Sequence, residues 1–150
     1  MTIQQNLSRH LAQVALYELK GIKALHPELK TIAINFLNSA YQKGFDLTIT
    51  ETFRTAAKQQ EYYNQGRVSA GSIITNAKPL QSYHQFCLSF DVAFKGAEPY
   101  PKNMDIWKKV GELGESMGLQ WGGRFNDNPH FQYVPNADYE WKNLIDYFKI

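Results

Sequence analysis

His84 and Asp91 stand seven residues apart in Ser82-Tyr83-His84-Gln85-Phe86-Cys87-Leu88-Ser89-Phe90-Asp91, and a second imidazole and carboxylate follow in Asp127-Asn128-Pro129-His130-Phe131. Two histidines and one carboxylate are a common protein donor set for a catalytic zinc, which leaves its fourth position to water. A further carboxylate beside that water is the proton acceptor that metal-assisted hydrolysis needs. These residue types point to a small zinc hydrolase. A structural zinc site fits less well, because such sites usually take four protein ligands rich in thiolate, and the chain has one cysteine.

The elements that must position these groups are partly legible. Phe86 to Phe94 is the sharpest strand pattern: Phe86, Leu88, Phe90, Val92 and Phe94 are large and apolar, whereas Cys87, Ser89, Asp91 and Ala93 are small or polar. A period of two puts the first set against a core and the second on the opposite face. Small neighbours beside Asp91 leave room for a bulky group to approach, although a lone aspartate there also suits the solvent face of an edge strand. His84 has the wrong parity to share that face, so it must precede the strand proper, or the backbone must bend between the two residues. His130 and Gln132 share one face of a later strand, with Phe131 and Tyr133 on the other. Asp127 lies on the loop entering that strand, either near a metal-bound water or as a cap of the turn with Asn126 and Asn128.

Around these segments, Leu7, Leu11, Val14 and Ala15 predict an N-terminal helix, and Pro27 opens a second one that ends near Gly44. Asp46 to Glu51 alternates as a strand, Thr55 to Gln65 reads as a helix, and Arg67 to Gln81 reads as a loop. Asn103 caps a helix carrying Ile106, Val110, Leu113 and Met117 and ending at Gly118. Short strands follow around residues 119–121 and 130–134, and Trp141, Leu144, Ile145 and Phe148 make the stripe of a C-terminal helix. Helices first and mostly strands later predict an α+β fold, a small antiparallel sheet with helices on one side and the site on its open face. Arg54 opens the helix after the first strand, where it makes a salt bridge or an exposed helix start, or serves the site by binding an anionic group. Cys87, between the first two candidate ligands, lies roughly 13 Å from Asp91 along an unbroken strand, so it reads as a packing residue. His10 and His26, without a carboxylate at helical spacing, read as surface or structural.

The 150 residues are 43% hydrophobic and 20% charged, which predicts one globular domain over residues 1–150 with a core of its own. A net charge of +2 argues against nucleic-acid binding by charge. The first residues, Met1-Thr2-Ile3-Gln4-Gln5-Asn6, lack the charged start and apolar core of a signal peptide, and no apolar run reaches membrane-spanning length. The expectation is a protein made in the cytoplasm without stable membrane association.

Read together, these segments resemble the zinc peptidase family that includes D-alanyl-D-alanine carboxypeptidases and L-alanyl-D-glutamate endopeptidases of peptidoglycan, with single-domain phage endolysins looking most similar. Ile49-Thr50-Glu51-Thr52-Phe53-Arg54-Thr55, followed by Gln59 and Gln65-Gly66-Arg67, resembles the family's arginine segment. Ser82-Tyr83-His84 through Asp91 resembles its Ser-x-His-x6-Asp core, and Trp121-Gly122-Gly123 with Asp127-x-Pro129-His130-Phe131 its closing segment. The resemblance implies His84, Asp91 and His130 as ligands of Zn2+, Asp127 as catalytic base, Arg54 as a substrate or transition-state contact, and Gln59 and Ser82 as substrate-binding residues. It implies a monomeric endolysin-like hydrolase that reaches the cell wall in the periplasm after membrane permeabilisation, cuts the L-alanyl-D-glutamate bond of the peptidoglycan stem peptide, and has no separate wall-binding domain. A D-alanyl-D-alanine carboxypeptidase or dipeptidase on the same site is the alternative, and a non-catalytic zinc or wall-binding module a further one. Cys87 stands where the family usually has glycine and Ser89 where it usually has alanine, and the stretch from Gly123 to Asp127 looks short. These departures bear on local packing and cleft shape rather than on ligand positions.

Overall fold

Two helices form one layer over a sheet. Helix α2 (Pro27–Gln42) starts on Pro27, which suits a first-turn position that needs no N–H partner, and buries Leu29, Ala33, Phe36 and Ala40 along one stripe. Helix α4 (Met104–Ser116) is capped by the Asn103 side chain, which accepts the Asp105 N–H. It buries Trp107 and Val110 beside Gly111 and Gly114. A side chain at Gly111 would collide with the Trp121 indole, so the absence of a Cβ there is what lets α4 lie close to the sheet. The strands β1 (Leu47–Glu51), β2 (Ser89–Phe94), β3 (Gln120–Trp121) and β4 (His130–Gln132) form one antiparallel sheet in the order β1-β2-β4-β3. Between the two layers Phe36, Phe90 and Phe131 meet, with Phe36 and Phe131 ring centroids 4.8 Å apart and Phe90 and Phe131 5.7 Å apart. Burying each such ring contributes about 1.5–3 kcal/mol. This is the predicted α+β architecture, with helices on one side and the opposite face of the central strands open.

The structure, a computed structural model, describes residues 1–148, and the side chain of Phe148, expected in the C-terminal stripe, lies outside the described part. Helix α1 (Ile3–Tyr17) begins with a reciprocal cap between Thr2 and Gln5. It buries Leu7 and Val14, while Ala15 from the predicted stripe faces solvent. Helix α5 (Trp141–Phe148) brings Leu144 onto a second cluster with Leu7, Tyr83, Phe86, Leu88 and Tyr139. His10 and His26 are buried and structural: His10 Nε2 lies 2.7 Å from the Ala24 carbonyl, and His26 Nδ1 accepts the Glu28 N–H at the start of α2. Among the described residues no helix is long and apolar enough to cross a membrane.

One predicted element is shorter than its pattern. The strand expected over Phe86–Phe94 begins at Ser89, because Tyr83–Phe86 forms a 3-10 turn and Cys87 adopts a left-handed conformation with φ +58°. The Cys87 and Leu88 N–H groups both return to the Tyr83 carbonyl, which closes the turn and leaves Ser89 as the first residue free to pair with β4. Phe86 and Leu88 therefore pack in the second cluster, whereas Phe90 and Val92 pack beneath α2 and α4. The alternation continues across the break because both sides of it bury apolar side chains. Cys87 is fully buried against Val14 and Ala24, as a packing residue.

Candidate active site

The break at Cys87 is what brings His84 to Asp91. Asp91 on β2 and His130 on β4 are directly paired across the sheet, and both side chains rise from the open face while their neighbours Phe90 and Phe131 point into the core. His84 reaches the same point from the turn ahead of β2. Its N–H is accepted by Ser82 Oγ at 3.3 Å, and its carbonyl accepts the Arg54 N–H at 3.1 Å. One donor atom from each of His84, Asp91 and His130 lies within 4.8 Å of the others.

The outward hydrogen bonds select which ring nitrogens face inward. His84 Nδ1 lies 2.6 Å from the Thr52 carbonyl, so it carries the proton there and leaves Nε2, 3.3 Å from Asp91 Oδ1. His130 is reversed: Nε2 donates to Gln132 Oε1 at 2.8 Å, and Nδ1 lies 3.0 Å from Asp91 Oδ1. Gln132 is itself oriented, since its Nε2 donates to Gln120 Oε1 at 2.8 Å. Each imidazole thus has one nitrogen tied to an acceptor and the other directed at Asp91, where a proton or a metal ion can bridge the two, the arrangement that outer hydrogen bonds impose on metal-binding histidines. Two neutral imidazoles and one carboxylate with inward donors fit zinc.

Burial alone would raise the Asp91 carboxyl, but hydrogen bonds from His130 and His84 and their charges hold it well below the usual carboxylate range. Burial alone would lower His130, yet the hydrogen bond and charge of Asp91 raise it above its ordinary value. The carboxylate at the centre of the cluster is thereby kept ionised, which favours a positive charge beside it.

Asp127 lies on the loop between the 3-10 turn Gly122–Phe125 and β4. Its N–H reaches the Gly122 carbonyl at 2.8 Å and its own carbonyl accepts the His130 N–H at 3.1 Å. A Cβ at Gly122 would strike the Asp127 carbonyl and the His130 side chain, so glycine is what allows so tight a turn. The Asp127 carboxylate accepts no hydrogen bond from the described residues, and so it does not cap the turn. Solvent reaches it, but the cleft walls strip enough water from it to raise its pKa; His130 opposes this, Asp91 reinforces it, and His84 and Arg54 oppose it further.

Arg54 follows a register shift between Ile49 and Glu51 on β1, an irregularity of the kind that re-aims side chains at sheet edges. Glu51 grips it with both carboxylate oxygens, at 2.7 Å on Nε and 2.6 Å on Nη2, and Gln59 Oε1 accepts from Nη1 at 2.8 Å. The Tyr62 ring lies 4.8 Å below. Burial alone would lower Arg54; the hydrogen bond and charge of Glu51 overcome this and raise it, so the guanidinium stays charged.

His84, Asp91, His130, Asp127, Arg54 and Ser82 all line one cleft of about 690 Å³, walled by Ile73 to Ala77 on one side and Phe125 and Asn126 on the other. Gln59 does not line it; that side chain is fully buried behind Arg54. Thr52, Gln85 and the bidentate hold of Glu51 escaped the sequence reading. Thr52 acts through its carbonyl, which carries no side-chain signal, and Gln85 is one polar residue among several in Gln81-Ser82-Tyr83-His84-Gln85.

The sequence pattern of a family described as D-alanyl-D-alanine carboxypeptidase matches residues 75–133, which spans all three clustered donors and Asp127. Over 138 residues the chain is 36% identical to the peptidoglycan L-alanyl-D-glutamate endopeptidase CwlK of Bacillus subtilis (strain 168), covering 83% of each protein. The chain belongs to this zinc peptidase family. As a member it is a metallopeptidase. The L-alanyl-D-glutamate peptidase of Listeria phage A118 is 27% identical over 121 residues, 77% of this chain and 40% of that protein. Two solved structures share the fold: the L-Ala D-Glu endopeptidase ChiX of Serratia marcescens, with a TM-score of 0.56 at 20% identity over 77% of this chain and 87% of that one, and VanYB in complex with D-alanine-D-alanine, with a TM-score of 0.58 at 16% identity over 83% and 84%.

Proposed function

We propose that this protein is a zinc-dependent peptidoglycan peptidase that hydrolyses the L-alanyl-D-glutamate bond of the stem peptide. The observation that carries the reading is the convergence of three donor atoms in an open cleft whose lining includes the Asp127 carboxylate, which accepts no hydrogen bond from the described residues. His84 through Nε2, Asp91 through Oδ1 and His130 through Nδ1 would hold the zinc, which supplies Lewis-acid polarisation of a carbonyl and lowers the pKa of water toward ~7.

The residues of the chain do the rest. Asp127 takes the proton of the attacking water and delivers it to the leaving amine, and its raised pKa brings donor and acceptor strengths closer. Arg54 keeps two of its five N–H donors after its bonds to Glu51 and Gln59. These bind a substrate carboxylate or the developing oxyanion. Ser82 Oγ accepts from His84, which leaves its O–H to donate to the peptide. The bond choice is supported by the endopeptidase relative that aligns over 83% of both chains.

Mass spectrometry of a peptidoglycan digest tests it. Fragments with a new N-terminal D-glutamate are expected. Release of D-alanine alone would replace this function with a carboxypeptidase, and no product from zinc-loaded protein would leave a binding module.

A further inference from the structure

Gln59 sits on α3 (Ala56–Asn64), fully buried, and a buried amide must satisfy both of its ends. Its Oε1 accepts from Arg54 Nη1 at 2.8 Å and from Gln85 Nε2 at 3.4 Å, and its Nε2 donates to the Ala77 carbonyl at 2.7 Å. Gln85 extends the same hub: Nε2 also reaches the Arg54 carbonyl at 3.3 Å, and Oε1 accepts the Leu80 N–H at 3.2 Å. Two amides therefore tie together the cleft arginine, the loop wall at Ala77 and the turn that carries His84. Glu51 fixes only the Nε–Nη2 edge of the guanidinium, from a side chain that is 29% exposed. Gln59 holds the remaining edge.

We infer that Gln59 is a positioning residue that sets the Arg54 guanidinium and the Ala77 wall, and so determines how the cleft grips the stem peptide without touching it. The inference rests on the peptidase reading above. A merely structural glutamine would affect stability and zinc affinity alike, whereas this one acts through Arg54.

A double-mutant cycle separates the two. Gln59→Met keeps length and burial but removes all three side-chain hydrogen bonds, and Gln59→Glu keeps an acceptor for Arg54. In the wild-type background Gln59→Met is expected to lower kcat/KM by about ten-fold or more, chiefly through KM, with zinc affinity unchanged by chelator competition and Gln59→Glu recovering part of the loss. In the Arg54→Ala background the same change should have less than about a two-fold effect. The cycle is repeated on the affinity of zinc-free protein for an L-alanyl-γ-D-glutamyl peptide, which needs no turnover. Equal Gln59→Met effects in both backgrounds, or none in the wild type, would overturn the inference. A wild-type protein inert toward the peptide would instead refute the peptidase reading.

Discussion

Replacing Gln132 by leucine should weaken zinc binding without unfolding the protein. Gln132 Oε1 accepts the His130 Nε2–H at 2.8 Å, and that bond keeps Nδ1 pointed at Asp91. His130 is 7% exposed, so few waters can stand in for the lost acceptor. A nearly buried N–H left without a partner costs about 1–3 kcal/mol, and the loss of an outer hydrogen bond of this kind typically lowers metal affinity by about 10–100-fold. Because that His130 N–H is left without its acceptor in the metal-free fold as well, the metal-free protein should lose stability in the same range, about 1–3 kcal/mol, and still fold. Competition with a chromophoric chelator at fixed pH measures the first quantity and urea unfolding of metal-free protein the second. Gln132→Glu, with a charged acceptor at the same place, should bind zinc at least as tightly as wild type. Wild-type affinity in Gln132→Leu, within about two-fold, would refute the argument that outer hydrogen bonds prepare this site.

Asp127→Asn should bind zinc normally and lose about 10²–10⁴-fold in kcat. In metal-free protein the Asp127 carboxyl should titrate above the ordinary aspartate value, the direction in which burial moves it; an NMR titration of the metal-free protein that finds it at the ordinary value would contradict this. Ser89→Ala should stabilise the protein, because Ser89 Oγ is buried with no hydrogen-bond partner among the described residues. Removing it should recover about 1 kcal/mol and raise Tm by about 2–4 °C at this chain length, read by thermal melting. Burial pushes the Cys87 thiol up to about 12. Iodoacetamide at pH about 8 should therefore leave the folded protein unmodified and label it after unfolding, since the thiolate is the nucleophile.

Much of this site was legible in the sequence because its residue types are poor choices for their positions otherwise. An aspartate among small residues in a strong strand, and a histidine paired with it at the wrong parity, require either that His84 precede the strand or that the backbone bend between the two. The bend itself was not legible. Cys87 carries a Cβ into a left-handed conformation that glycine adopts more readily, and nothing in the Phe86 to Phe94 alternation marks it, because Phe86 and Leu88 are buried in a different cluster from Phe90 and Val92. The resemblance to a family with glycine there pointed to the position without giving its geometry. Gln59 shows another limit: sequence placed it near the arginine, and only packing distinguishes a residue that faces the cleft from one that lies behind it. The carbonyl of Thr52, which orients His84, belongs to the backbone and has no signature in residue type at all.

The most direct test of the central claim uses a synthetic L-alanyl-γ-D-glutamyl peptide, metal-stripped protein and one equivalent of zinc, with product masses as the readout. The account predicts no cleavage without metal, free D-glutamyl product once zinc is added, and no recovery in His130→Ala. Cleavage by metal-stripped wild type, or full zinc-restored activity in His130→Ala, would contradict it.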